Sequence, residues 1–206
     1  MPRLPVIVAA LIAITAITAL AVSAVYVNLG GERNVAGPST GPGVTSNSSG
    51  EGARLAAFVV HESPKQITEA VFQAEDGEAR ILDDWRGKWV LVNLWATWCA
   101  PCRHEMPALD RLQARLGGDD FEVVAISVDR GGFDKPKKFF EENGIEHLAL
   151  YNEKTSRISA KLSVIGMPTT LLMDAEGHEI GRMAGPAEWD SEAAIDMLTR
   201  VAGLGS

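Results

Sequence analysis

An α/β fold, with strands and helices alternating along the chain, is what this sequence of 206 residues predicts, and three features predict it. Residues 89–95 form a continuous apolar run broken only by Asn93, and residues 121–128 form a second; both read as buried strands. Between them, from about Cys99 to Leu116, Leu109, Leu112 and Leu116 fall on one helical face, and Gly117-Gly118 supplies the stop. Further on, residues 169–173 and 179–183 flank Ala175-Glu176-Gly177, the pattern of a hairpin.

The remaining elements follow in order. Residues 71–74 and 79–81 flank Asp76-Gly77, an N-terminal hairpin signal. Residues 137–143 predict a helix stopped by Gly144, residues 148–151 a short strand, and residues 155–162 a short helix. Asp190 or Ser191 caps a last helix with Ile195, Leu198 and Val201 facing inward and Gly203 ending it.

Ahead of this stands different material. Residues 4–29 carry no charge. The 22 residues from Val6 to Val27 would span about 33 Å as a helix, against a hydrocarbon core of roughly 30 Å. Residues 1–29 therefore predict one transmembrane anchor. Arg3 before it, with Glu32 and Arg33 cancelling behind it, places the N-terminus in the cytoplasm and the rest outside. The alternative is a cleaved signal peptide, for which Val22-Ser23-Ala24 could serve as the cleavage site; the apolar run exceeds the usual core of about 7–15 residues. Residues 30–53, rich in Gly, Ser, Thr and Pro, read as a flexible linker of roughly 27 Å root-mean-square reach. Residues 54–206 are left as the folded domain.

Residues 1–52 hold two basic and two acidic side chains, so the net charge of −8 falls on the folded part. That argues against nucleic acid or an anionic lipid surface as its partner, since both demand a basic face. There are only two cysteines, three positions apart. A secreted domain stapled by disulfides would use more, spread along the chain. The pair is free to do chemistry.

Cys99-Ala100-Pro101-Cys102 sits where a buried strand ends and a helix begins. A cysteine in the first helical turn feels unpaired N–H groups and the positive end of the dipole, which favour thiolate over thiol. Cys99 would attack, and Cys102, a turn further in, would resolve the mixed disulfide. Pro101 lacks an N–H that would be orphaned there anyway. A zinc site would need two more ligands, and His61, His104, His147 and His178 are scattered, so no metal is implied. Trp98, an aromatic beside the nucleophile, is a candidate partner-binding lip. Arg103 and His104 read as the wet side of the helix, and Trp85, Trp89 and Trp189 as packing residues.

Residues 95–102, Pro107 and Gly166-Met167-Pro168-Thr169-Thr170 together resemble the thioredoxin superfamily. The run Trp98-Cys99-Ala100-Pro101-Cys102-Arg103-His104-Glu105-Met106-Pro107-Ala108-Leu109 and Phe58-Val59-Val60-His61-Glu62-Ser63-Pro64 resemble its membrane-anchored TlpA/ResA-like branch, the TlpA type in particular. The resemblance covers residues 54–206. It implies a thioredoxin-like fold: a central mixed sheet flanked by helices, with an insertion between the second core strand and the proline motif.

By the same resemblance, Pro168 matches a cis-proline lying against the cysteine pair. The Met167 backbone would then pair with an extended substrate segment; a trans-proline opening a strand is the bland alternative. Ordinary thioredoxins place a buried aspartate six residues before the first cysteine, where this chain has Asn93. Glu105 matches an active-site glutamate of the branch; three residues past Cys102, it could relay that thiol's proton, or it could be a solvated surface residue.

The activity implied is thiol–disulfide exchange with no cofactor beyond the Cys99–Cys102 pair. It would act chiefly as a reductase in the periplasm, on apocytochrome c, a copper chaperone or an oxidase subunit, resupplied by a membrane thiol donor. An oxidase or isomerase, and a copper chaperone using the same cysteines, are the competing functions. A peroxiredoxin-type peroxidase needs Thr or Ser three residues before its nucleophile, and position 96 is Ala96.

Overall fold

A computed structural model describes residues 57–67 and 69–204. The expected anchor, residues 1–29, and linker, residues 30–53, lie outside the described residues. Among the described residues no helix is long and apolar enough to cross a membrane.

Eight strands form one mixed sheet: β1 (Val59–Gln66), β2 (Val71–Ala74), β3 (Ala79–Ile81), β4 (Trp89–Trp95), β5 (Phe121–Ser127), β6 (Tyr151–Asn152), β7 (Thr169–Met173) and β8 (His178–Ala184). Their spatial order is β1-β8-β7-β4-β5-β6-β2-β3. The helices are α1 (Ala100–Leu116), α2 (Asp134–Asn143), α3 (Arg157–Lys161) and α4 (Glu192–Ala202), with a 3-10 turn at Leu82–Trp85.

The centre is built from the most apolar segments. Parallel β4 and β5 pair from Trp89↔Phe121 to Trp95↔Ser127, and β7 runs antiparallel on the other side of β4. Leu91, Val92, Leu94, Val124, Ile126, Leu171 and Leu172 are fully buried there. At roughly 25 cal/mol per Å² of apolar surface removed from water, such side chains supply the main driving force for this layer. Leu109 and Leu112 of α1 and Leu198 of α4 join the same core.

The predicted elements stand with three adjustments. Helix α2 begins at Asp134 rather than at residue 137, because Pro136 falls in the first turn, where a missing N–H costs nothing. The strand expected at residues 148–151 is only Tyr151–Asn152. Glu146, His147 and Leu148 instead give their amides to Oδ1 of Asp110, at 3.1, 2.7 and 3.0 Å, so a helix carboxylate replaces a strand neighbour. Strand β1 was not predicted.

Strand β1 is an edge strand, exposed along almost its whole length. It pairs with β8 at Val59↔Arg182 and Lys65↔Glu179, and residues 61–64 bulge against the single residue Ile180. Two contacts hold it. Gly181 lets the chain lie close, since a Cβ there would come within 2.7 Å of Phe58 and the Val59 carbonyl. His61 Nε2 meets Glu179 Oε1 at 2.7 Å, and Arg182 grips the same carboxylate.

Candidate active site

Strand β4 ends at Trp95, and α1 begins five residues later at Ala100. Cys99 is the helix N-cap, with extended backbone (φ −89°, ψ 103°), and its Sγ accepts the Cys102 N–H at 3.2 Å. A sulfur thus takes the place that a serine or aspartate oxygen fills at most helix starts. That N–H, with the dipole behind it, is the donor a Cys99 thiolate would use. Cys99 and Cys102 are joined as a disulfide. Cys99 is 6% exposed and Cys102 fully buried, so only the first sulfur can be approached from outside. Pro101 is exposed in the first turn, and Trp98 stands out at 69% exposure. Arg103 and His104 are exposed, as expected.

The register of the sheet brings the proline motif to the same end. Leu94 pairs with Thr169, so the turn before β7 lies beside the turn after β4. The Met167–Pro168 peptide is cis, as the resemblance implied. Pro168 is buried, Met167 half-buried, and Ile165 of the same turn is 98% exposed.

Glu105 is not a surface residue: it is 2% exposed. Three donors reach its carboxylate. Asn93 Nδ2 donates to Oε1 at 2.8 Å, while the Ala187 N–H and Trp189 Nε1 donate to Oε2 at 3.2 and 3.3 Å. Burial lifts its carboxyl to about 7 against the downward pull of those three bonds, with the Glu188 charge adding slightly to the rise. Glu105 therefore exchanges its proton near neutrality, one turn along α1 from the buried sulfur of Cys102.

Asn93 Nδ2 also donates to Thr170 Oγ1 at 3.0 Å, leaving Asn93 Oδ1 buried without a partner. A half-turn of that amide would present Oδ1 to a protonated Glu105, with the Thr170 hydroxyl able to donate to it as well. The amide can therefore serve both protonation states of the acid.

Three groups escaped the sequence reading. Trp189 was read as packing; it is fully buried and is also a donor to Glu105. Thr170 was noted only as part of the proline motif. Asp129 was not singled out. It is 3% exposed, and its carboxylate accepts the Thr97 N–H at 2.8 Å, the Thr97 hydroxyl at 2.6 Å and the Ser127 hydroxyl at 2.9 Å. It thereby fixes the segment that presents Trp98 and Cys99. The signal available was an acid directly after a buried strand that ends beside the CxxC turn.

Asp129→Ala is expected to leave the buried Ser127 hydroxyl and the half-buried Thr97 donors unanswered and to cost about 1–3 kcal/mol of stability. Urea unfolding would measure it; a midpoint equal to that of the unaltered protein would show that the carboxylate does not hold the turn.

A cleft of about 790 Å³ lies elsewhere, lined among others by Ala74, Phe140, Ile145 and Leu150, and none of the groups above contributes to it. The cysteine site is instead a nearly buried sulfur flanked by the exposed Trp98, Pro101 and His104, a shape suited to another protein chain.

The AhpC/TSA family matches residues 64–180. A thioredoxin-like protein, YneN, of Bacillus subtilis is 38% identical over 117 residues, 55% of this chain and 66% of the relative. A thiol–disulfide oxidoreductase, ResA, of Bacillus thuringiensis is 29% identical over 124 residues, covering 60% of this chain and 70% of its own length. Among solved structures, a putative thiol:disulfide interchange protein DsbE from Chlorobium tepidum superimposes with a TM-score of 0.60 at 26% identity, over 68% of this chain and 97% of that one.

Proposed function

We propose, from the premise that this chain belongs to the AhpC/TSA family and is a thiol–disulfide oxidoreductase of the ResA and DsbE type, that it works as a membrane-tethered reductant of disulfides in exported proteins. The observation that carries this reading is the pairing of an N-capping cysteine sulfur with a buried, proton-exchanging carboxyl on the same helix.

In the reducing direction the Cys99 thiolate attacks one sulfur of the partner's disulfide, and the other leaves as a thiolate that takes up a proton. Glu105 accepts the proton of the Cys102 thiol. The Cys102 sulfur then attacks Cys99 Sγ, closing the disulfide and releasing the partner's second thiolate. Two electrons pass to the partner, and the pair ends oxidised, the state described above.

The direction rests on what lies between the cysteines. Strong oxidants stabilise their thiolate, in part with a charged residue there. Ala100 and Pro101 supply neither charge nor a side-chain donor, and an ionised Glu105 opposes the thiolate rather than supporting it. Equilibration with dithiothreitol buffers is expected to give a potential of roughly −220 to −270 mV. A value above about −160 mV would reverse the direction and make the protein an oxidant.

The substrates follow from the TlpA/ResA-like resemblance: proteins of cytochrome c or oxidase copper-site assembly, with a membrane thiol donor restoring the dithiol. A peroxidase reading is disfavoured, because Ala96 is buried and carries no hydroxyl beside the nucleophile.

The tether rests on the uncharged run of 22 residues from Val6 to Val27. Full-length protein is expected to stay in carbonate-washed inner membranes, with the described domain on the periplasmic side. A mature form beginning near Val25 in the soluble periplasmic fraction would remove the anchor from the picture.

A further inference from the structure

The end of the sheet that carries the disulfide differs in charge from the rest of the chain. Loops after β4 and β5 meet there: the Val128 N–H donates to the Trp95 carbonyl at 2.9 Å, and Asp129 holds Thr97. The segment after β6 joins them, with the Glu153 N–H on the Ser127 carbonyl at 2.8 Å and the Ser156 hydroxyl on the Val128 carbonyl at 3.3 Å. Four cations stand exposed on these segments and on the first turn of α1: Arg103, Arg130, Lys154 and Arg157. No side-chain carboxylate among the described residues pairs with any of them within 4 Å.

The acids of this end are mostly turned inward. Asp129 is committed to Thr97 and Ser127, and Glu153 is buried and bonded to Thr155 and the Ile158 N–H. Asp190 pairs with Arg111. Asp134 is exposed at the start of α2, and Glu188 is half-buried with an interaction of its own. At the opposite end, where β4 and β5 begin, Asp83, Asp84, Asp119, Asp120 and Glu176 are exposed, and the cations there, Arg86 and Lys88, are paired with Asp83 and Glu122. The Trp89 N–H on the Asp120 carbonyl and the Gly87 N–H on the Ala175 carbonyl hold those turns together. A chain of net charge −8 thus keeps a basic rim around its redox centre, with the apolar tips of Trp98 and Ile165 inside that end.

We propose that this rim is a docking face for an acidic protein surface: the partner presents its cysteine pair within a segment rich in Asp and Glu. Apolar contact with Trp98 and Ile165 would hold that segment, while the four cations steer it in. The proposal rests on the oxidoreductase reading above and specifies the chemistry of the partner. An acidic partner meets net repulsion from a chain of charge −8 but unpaired cations beside the redox centre, so the field favours the orientation that brings sulfur to sulfur. Cations held free of local pairs keep their whole charge for the partner, whereas paired surface ions contribute little.

The test uses the reduced full-length protein in detergent, with exchange followed by stopped-flow tryptophan fluorescence. Three disulfide peptides differ only in flanking residues: acidic, neutral or basic. The acidic peptide is expected to react about 10-fold or more faster than the basic one at 20 mM salt, and the gap should close at 500 mM. Arg130→Glu with Arg157→Glu should abolish or invert the preference. Asp119→Lys with Asp120→Lys, changing net charge by as much at the far end and in the opposite sense, should leave it in place.

Equal rates for the acidic and basic peptides at low salt would overturn the proposal. So would a preference that shifts as much with the far-end variant, which would make it a matter of net charge. Rim-dependent sedimentation with phosphatidylglycerol vesicles, without any acidic-peptide preference, would give the face to lipid instead. Exchange of the unaltered protein with hydroxyethyl disulfide, a small neutral probe, keeps the two readings apart: no reaction there sinks the oxidoreductase assignment, whereas reaction there without peptide preference sinks only the docking face.

Discussion

A Cys102→Ser protein is expected to become a trap, accumulating a mixed disulfide between Cys99 and its partner, with turnover reduced by roughly three orders of magnitude or more. The expectation rests on two exposures. Cys99 is 6% exposed at the helix cap, where Cys102 N–H already faces its sulfur, and Cys102 is fully buried. The first sulfur can meet a partner, and the second can meet only the first. Resolution in the unaltered protein is intramolecular, with the high effective concentration that neighbouring groups enjoy. Serine leaves only dilute external thiol to release the partner. Non-reducing gels and mass spectrometry of the adduct would report the result. An adduct formed by a Cys99→Ser protein in preference to Cys102→Ser would exchange the two roles.

Glu105→Gln carries the next largest effect and leaves two signatures. Resolution should slow by about 10²–10⁴, the range of positioned acid–base groups. The unaltered rate should rise as pH passes through about 7, where Glu105 becomes able to accept the Cys102 proton, and the variant should lose that rise. Identical stopped-flow profiles from pH 6 to 9 would show that Glu105 takes no part in the transfer.

The second signature is thermodynamic. Glu105 has a folded value of about 7, above an unfolded value of about 4.3. Its contribution to stability is therefore fully present below the lower value and is lost as pH rises through the upper one. Glutamine does not ionise, so the variant's stability relative to the unaltered protein should climb with pH, by up to about 4 kcal/mol. Its amide nitrogen also fits the site. Turned the other way, Asn93 offers it Oδ1, which otherwise has no partner.

Most of the frame was legible from the residues themselves. Strand β4, helix α1, the β7–β8 hairpin and the Ser191-capped α4 announce themselves through apolar runs, turn residues and caps, all local signals. What escaped depended on partners distant in sequence. Strand β1 has the exposure of a loop and contains Pro64; only β8, more than 110 residues away, makes it a strand. The strand expected at residues 148–151 shrinks because the amides of residues 146–148 belong to Asp110, 36–38 residues earlier.

The site divides in the same way. The CxxC and the proline turn are motifs in the chain, and the cysteine roles could be argued from spacing and helix position. The depth of Glu105 could not, because what buries and binds it comes from Ala187 and Trp189, 82 and 84 residues downstream. Asn93 was seen as an amide that cannot take a proton. That it orients the group that can was a matter of geometry between two elements.

The same edge strand also bears on solubility. An open sheet ends in two rows of unpaired backbone groups, which can recruit strands from other molecules. Here one margin is β3, three residues long, and the other is β1, where Glu62, Pro64 and Lys65 fall in or beside the bulge. Proline lacks a donor, the charges repel an apolar neighbour, and the bulge breaks the register a second molecule would need. The residues that hid β1 from the sequence reading are those that keep an eight-stranded sheet from growing into a ninth strand borrowed from another copy.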